Sequence, residues 1–205
     1  MTTTLVLRSE DGATLALDPE RWHGGLTGSE TRLLASLEGP VLDVGCGPGR
    51  LLVSLGQRGV MALGIDPAPG AAAIARRRGA TVLQRSVFDP VPAEGRWMTV
   101  LLMDGNVGIG GDPVRLLQRC RELADPSGAV VVETHRPGGG WRAHRARLEQ
   151  AGHRGPWFRW AEVGADAIDD LGHAAGLAVE RVDVSDDEAR WFAVLRPRDQ
   201  RFHAA

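Results

Sequence analysis

Residues 40–50 read Pro-Val-Leu-Asp-Val-Gly-Cys-Gly-Pro-Gly-Arg, and few folds accommodate such a run. Val41, Leu42 and Val44 make a short apolar stretch, the pattern of a strand buried on both faces of a parallel sheet. Gly45, Gly47 and Gly49 then alternate with Cys46 and Pro48, and from Arg50 onward Leu51, Leu52 and Leu55 recur at helical spacing. Glycine tolerates positive φ and carries no Cβ, so a strand-to-helix turn of this kind bends sharply and lets a ligand approach its amides. The run predicts an α/β chain with a ligand lying against backbone.

Spacing narrows the ligand. A dinucleotide turn is G-x-G-x-x-G, whose third glycine allows close helix–strand packing. Counted from Gly45, that position is the large Arg50. The spacing here is G-x-G-x-G, preceded by Asp43 at the strand end. No pyrophosphate is implied, and the carboxylate suits a ligand with an ammonium group. A second apolar strand, Met61-Ala-Leu-Gly-Ile-Asp66, also ends in a carboxylate, which can accept two hydrogen bonds from a ribose diol.

The stretch Asp43-Val44-Gly45-Cys46-Gly47-Pro48-Gly49 resembles the first motif of the class I S-adenosylmethionine-dependent methyltransferases, an acidic residue followed by G-x-G-x-G. The family also places an acidic residue where Asp66 stands, for the ribose. The resemblance implies a Rossmann-like three-layer αβα sandwich with a seven-stranded, mostly parallel sheet whose last strand is antiparallel. It further implies S-adenosyl-L-methionine as cofactor and S-adenosyl-L-homocysteine as product. Asp43, Gly45, Cys46, Gly47 and Gly49 would lie along the methionine and ribose, with Asp66 and Pro67 at the ribose. After the third strand (Thr81-Val-Leu83), Ser86, Val87 and Phe88 match the family's adenine-lining loop. The commoner pattern there has an aspartate where Ser86 stands, so Ser86, Asp89 or backbone is left to meet the adenine amine.

The fourth strand, Thr99 to Asp104, runs into the glycine-dense loop Gly105-Asn106-Val-Gly-Ile-Gly-Gly-Asp112. Ligands of open parallel sheets bind at the carboxyl ends of strands beside the switch in strand order. Asp104, Gly105 and Asn106 are therefore expected where the transferred methyl points, while Asp112 caps the helix over 113–124. His135, just past the fifth strand (Gly128–Glu133), Asp104 and Asn106 are the candidate catalytic groups, and His23 joins them if the N-terminal segment folds over the site. Asp104 has no evident carboxylate partner immediately after it, since Asn106 is neutral, so a catalytic divalent metal is not expected.

Outside this frame, residues 4–18 predict a β-hairpin around Glu10-Asp11-Gly12, serving as a lid, a dimer contact or an edge cover. Pro19 to Gly28, with Trp22 and His23, reads as irregular, and Thr27 or Ser29 caps a helix over 29–38. Helices are also expected over 50–58, 68–78 and 165–175. Two last strands, 177–182 and 190–195, flank a turn at Asp186-Asp187-Glu188. The segment 141–162 is ambiguous between helix, strand and loop. The chain thus divides into an accessory segment over 1–28 and a methyltransferase-like domain over 29–198, with a substrate-recognition insert over 136–162.

Composition closes some routes. The 205 residues suit one full α/β domain. A formal net charge of −2 argues against nucleic acid as a partner, and no run is long and apolar enough to span a bilayer. The N-terminus lacks signal-peptide features, and Cys46 and Cys120 are not at metal-ligand spacing, which together predict a cytoplasmic protein. The chain has no lysine and no tyrosine, which removes a Schiff-base lysine and a tyrosine acid. Its Arg-, Ala-, Gly- and Pro-rich bias suggests a bacterial source. The expected function is methyl transfer from S-adenosylmethionine to a small-molecule acceptor. The alternatives are a protein that binds the cofactor without transfer, or an RNA-modifying enzyme using the arginines between 136 and 159. Neither the acceptor nor the oligomeric state is legible.

Overall fold

The computed structural model describes residues 5–17, 19–185 and 190–198. The chain opens with β1 (Leu5–Ser9) and β2 (Thr14–Leu17), then α1 (Pro19–His23) and α2 (Gly28–Ala35). Next come β3 (Val41–Val44), α3 (Arg50–Gln57), β4 (Ala62–Ile65), α4 (Pro69–Arg77), β5 (Val82–Leu83) and β6 (Trp97–Leu102). A 3-10 turn over Asn106–Gly111 leads into α5 (Pro113–Leu123) and β7 (Ala124–Thr134). Then follow β8 (Trp141–Gln150), β9 (His153–Arg154), β10 (Phe158–Val163), α6 (Ile168–Ala174), β11 (Leu177–Val184) and β12 (Trp191–Pro197).

Seven strands form one sheet in the order β11-β12-β7-β6-β3-β4-β5. The pairs from β5 through β7 are parallel, and β12 is antiparallel to both neighbours, as the resemblance implies. The order reverses between β3 and β6, which opens a crevice at their carboxyl ends. One face carries the larger core, where Leu42, Val100 and Val130 meet Leu116 and Cys120 of α5 and Leu171 of α6. The other face sets Val41, Leu101 and Val131 against Leu33 and Leu34 of α2 and Leu55 of α3. Thr27 begins α2 with a capping box: its hydroxyl accepts the Glu30 N–H, and Glu30 accepts the Thr27 N–H. Asp112 caps α5 through the Arg115 N–H.

Three local expectations are revised. Residues 19–23, read as irregular, form the short helix α1, because Pro19 at its start leaves no orphan donor there. The ambiguous 141–162 segment is two strands and the short β9. The fifth strand, expected from Gly128, already begins at Ala124, with residues 125–128 inside β7 as a register break between Ala124 and Ala129 and the Ser127 N–H bonded to the Asp125 carboxylate. The predicted turn at 186–188 lies outside the described residues.

A second, antiparallel sheet has the order β10-β8-β1-β2, with β9 on β8. The N-terminal hairpin thus joins strands of the 136–162 segment, Leu7 facing Leu148 and Arg8 facing Arg147. Gly108 permits the 3-10 turn to lie against β10: a Cβ there would collide with the Ala161 carbonyl.

Candidate active site

The turn after β3 is held from three sides. Gly45 and Cys46 donate to the Ile65 carbonyl at 2.8 and 3.2 Å. The Asn106 amide donates to the Val44 and Gly45 carbonyls, both at 2.9 Å. Asp66 spends one oxygen on the Gly47 N–H (2.9 Å) and the other on the Ala68 N–H (2.8 Å). Gly45 has φ +71°, and a Cβ there would stand 2.6 Å from the Asn106 Nδ2, so both conformation and space require glycine. At Gly47, φ is +53° and an added Cβ meets no protein atom within 4 Å. Its bare face opens instead on a cavity of about 700 Å³ at the carboxyl ends of β3, β4 and β6.

That cavity brings together Asp43, Gly45, Cys46 and Gly47 of the first turn with Asp66, Asp104 and Asn106. Its other side is the second sheet and α1, including Leu7, Trp22, His23, Leu148 and Trp160. Trp22 and His23, suspected from sequence, do face it. Gly49 does not; at φ +78° it lets α3 approach α4, its missing Cβ replaced by the Ala75 methyl. Gly105 and Pro67 lie in the adjoining turns without lining the cavity.

Four further candidates are placed elsewhere. Val87 is buried in the larger core, Phe88 packs on it beneath the Arg115 guanidinium, and Ser86 caps the Phe88 N–H. The loop carrying them turns inward because an apolar pair, Val87 and Phe88, is worth more against α5 than in an open groove. His135 lines a separate cavity of about 360 Å³ with Arg142 and Glu162. Its backbone bonds to Val163 and Ala165 carry the chain away from the β3–β6 crevice.

Beneath the cavity lies a buried charge network invisible as a motif. Strand alternation that buries Val41, Val131 and Phe192 on one face continues at the strand tips as Asp43, Glu133 and Arg190. Arg50, the residue that breaks the dinucleotide spacing, forks onto both oxygens of Glu30 at 2.7 Å and reaches Asp104 at 3.1 Å. Arg190 donates to Glu30 (2.6 Å) and bidentately to Glu133 (2.7 and 2.6 Å). Glu133 also accepts the Asp104 N–H at 2.7 Å, and Arg21 of α1 reaches Asp104 at 3.2 Å. Three carboxylates balance three guanidiniums. Burial would raise the Glu30 carboxyl, but Arg50 and the Thr27 N–H outweigh it and hold the group at about 2. Asp104, at φ +54°, is a non-glycine residue in the left-handed region, fixed there by these bonds.

Asp43 is the exception. It is 2% exposed, and its Oδ2 has no hydrogen-bond partner. Burial, reinforced by Asp104 and Asp66 against the opposing pull of Arg50, pushes its pKa up to about 7. A buried, unsatisfied carboxylate oxygen beside a cavity calls for a cationic or donor ligand.

Comparison with known proteins agrees with this architecture. A sequence model of the family described as a methyltransferase domain matches residues 27–182. The chain belongs to that family, among the class I S-adenosylmethionine-dependent methyltransferases. It is 32% identical over 113 residues to the ubiquinone biosynthesis O-methyltransferase of Azorhizobium caulinodans, a match covering 52% of this chain and 45% of that protein. It therefore spans less than half the length of that curated relative. Among solved structures, a SAM-dependent methyltransferase from Bacteroides fragilis, in complex with S-adenosyl-L-homocysteine, superposes with a TM-score of 0.81 at 18% identity, covering 97% of this chain and 89% of that one. A 1,6-didemethyltoxoflavin-N1-methyltransferase from Burkholderia thailandensis gives 0.60 at 19% identity, covering 84% and 78%. Both establish the shared fold.

Proposed function

We propose that this protein transfers a methyl group from S-adenosylmethionine to a small-molecule acceptor held in the 700 Å³ cavity. The observation that carries the reading is the set of unfilled valences around the turn: the orphan Asp43 oxygen, the bare face of Gly47 and the paired oxygens of Asp66. Asp43 would meet the methionine ammonium. Asp66 retains free lone pairs for two hydroxyls, since each oxygen accepts only one backbone N–H. Gly45 and Gly47 leave the backbone open to close approach. Bound there, the cofactor supplies a methyl already activated on its sulfonium.

The chain's own task is then alignment and exclusion of water. Asn106 locks the turn, the arginine–carboxylate network fixes Asp104, and the second sheet closes the cavity. Asp104 is held by guanidiniums and His135 faces another cavity, which leaves His23, on the cavity wall, as the candidate base for acceptors that must lose a proton. The removal of Asp104 and His135 from a base's role favours cofactor binding without transfer as the second reading. Among the described residues no helix is long and apolar enough to cross a membrane.

Calorimetric titration with S-adenosylmethionine and S-adenosylhomocysteine tests this directly. Micromolar binding, lost in Asp66→Ala, is the expected result; a folded protein that binds neither ends the proposal. Methyl transfer to an acceptor panel, read by mass spectrometry, separates the two readings.

A further inference from the structure

We propose that the cavity selects an apolar, ring-bearing acceptor that is neutral or cationic, and rejects one carrying a carboxylate or phosphate; this rests on the methyltransferase reading above. The first half follows from the wall opposite the glycine turn. Strand register sets Leu5 opposite Leu17 and Leu7 opposite Leu148, and all four side chains line the cavity. Phe158 and Trp160 of β10 join them, edge to face with ring centroids 6.0 Å apart and planes at 83°. Such a surface gains by covering a ring system and offers few hydrogen bonds.

The second half follows from the charges that line the cavity. Asp43, Asp66 and Asp104 do so, with Arg50 as their guanidinium counterpart. Arg50 is committed: its two terminal nitrogens bond Glu30 and Asp104, and its side chain is 5% exposed. Arg21 and Arg190 lie in the network below and do not line the cavity. The chain has no lysine. His23 is the one imidazole among the lining residues, so an acceptor anion would enter a low-dielectric space with no free guanidinium or ammonium and with three carboxylates set against that ring and the committed Arg50. A neutral or cationic ring meets no such penalty.

The full-length protein, saturated with S-adenosylhomocysteine (which has no net charge), would be titrated calorimetrically at about pH 8 with naphthol, naphthylmethylammonium and naphthoate. These probes share a ring system and differ in charge. Naphthoate is expected to bind about ten-fold or more weakly than the other two. Leu148, on β8, is 39% exposed, which leaves solvent space for a longer side chain. Leu148→Arg is expected to bring naphthoate within about three-fold of naphthol in protein that still binds S-adenosylhomocysteine. Naphthoate binding as tightly as naphthol overturns the proposal, as does failure of all three probes to bind. An unaltered ranking in a folded Leu148→Arg also overturns it. Each of these leaves the methyltransferase reading intact if S-adenosylhomocysteine binds; absence of that binding removes the reading and the acceptor class together.

Discussion

Glu30 and Asp11 are both carboxylates gripped by arginine, one beneath the cavity and one on the far side of its roof. Glu30 is fully buried and takes three short guanidinium bonds from Arg50 and Arg190. Asp11 meets Arg142 at 2.8 Å with about half of each side chain in water. The geometry of the contacts is similar and their meaning is not. In the floor, Glu30, Glu133, Arg50 and Arg190 have lost nearly all their water and depend on one another, so these four act as one rigid piece. In the roof, water stands ready to replace either partner, and the sheet is held by backbone pairing and its leucines instead. The lesson is that burial, more than contact distance, decides what an ion pair contributes.

The sharpest way to break this comparison is Glu30→Ala. It leaves Arg50 and Arg190 under-neutralised in a dry site, and a loss of about 3–5 kcal/mol in unfolding free energy is expected from denaturant titration. A loss below about 1 kcal/mol would show that the floor is as forgiving as the roof. Asp43 should come next, through pH. Its pKa near 7 in the folded protein stands above its ordinary 3.8, so the native state holds a proton that the unfolded chain releases. Stability should therefore fall as pH rises from about 4 to about 7, then level off. Asp43→Asn should remove that decline, leaving a flatter stability profile across the window. Glu30 has the opposite sign: depressed to about 2, it contributes stability above about 4.5 that disappears as pH falls toward 2.

Gly45→Ala sharpens the contrast at the turn itself. Positive φ and the 2.6 Å approach to Asn106 should cost about 1–3 kcal/mol and abolish S-adenosylmethionine binding. Retained affinity in calorimetry would mean that the Asn106 clamp is dispensable. The smallest effect is expected from Arg142→Ala in the exposed pair, with no resolvable change in unfolding midpoint. A clear drop there would show that the roof leans on its surface charges.

The arginines between 136 and 159 illustrate the same division. Arg142 pairs with Asp11 and Glu162, and Arg147 pairs with Glu149 and stacks on Trp157. Half of a run that reads as basic in sequence, Arg142, Arg147 and Arg154, meets carboxylates in space, one of them Asp11 of the distant hairpin. That weakens the nucleic-acid alternative, which depends on unpaired cations along a backbone-tracking face.

The sequence alone determined the parts whose physics is local. Strand, glycine turn and helix follow one another within residues 41–57, so hydrophobic period and positive-φ demand mark them without reference to the rest of the chain. Asp66 and Asp104 were legible for the same reason, as charges ending apolar strands whose carboxyl tips must face the crevice. Tertiary structure alone decided the roof and the floor network. Nothing in Leu5–Ser9 says that its partner is Trp141–Gln150, because backbone pairing is indifferent to sequence and many antiparallel registers satisfy the same alternation. Glu30, Arg50 and Glu133 come from α2, α3 and β7, and Arg190 from the residue just before β12. Only folding gathers them, since each charge is tolerable in that buried site only when the others are already there.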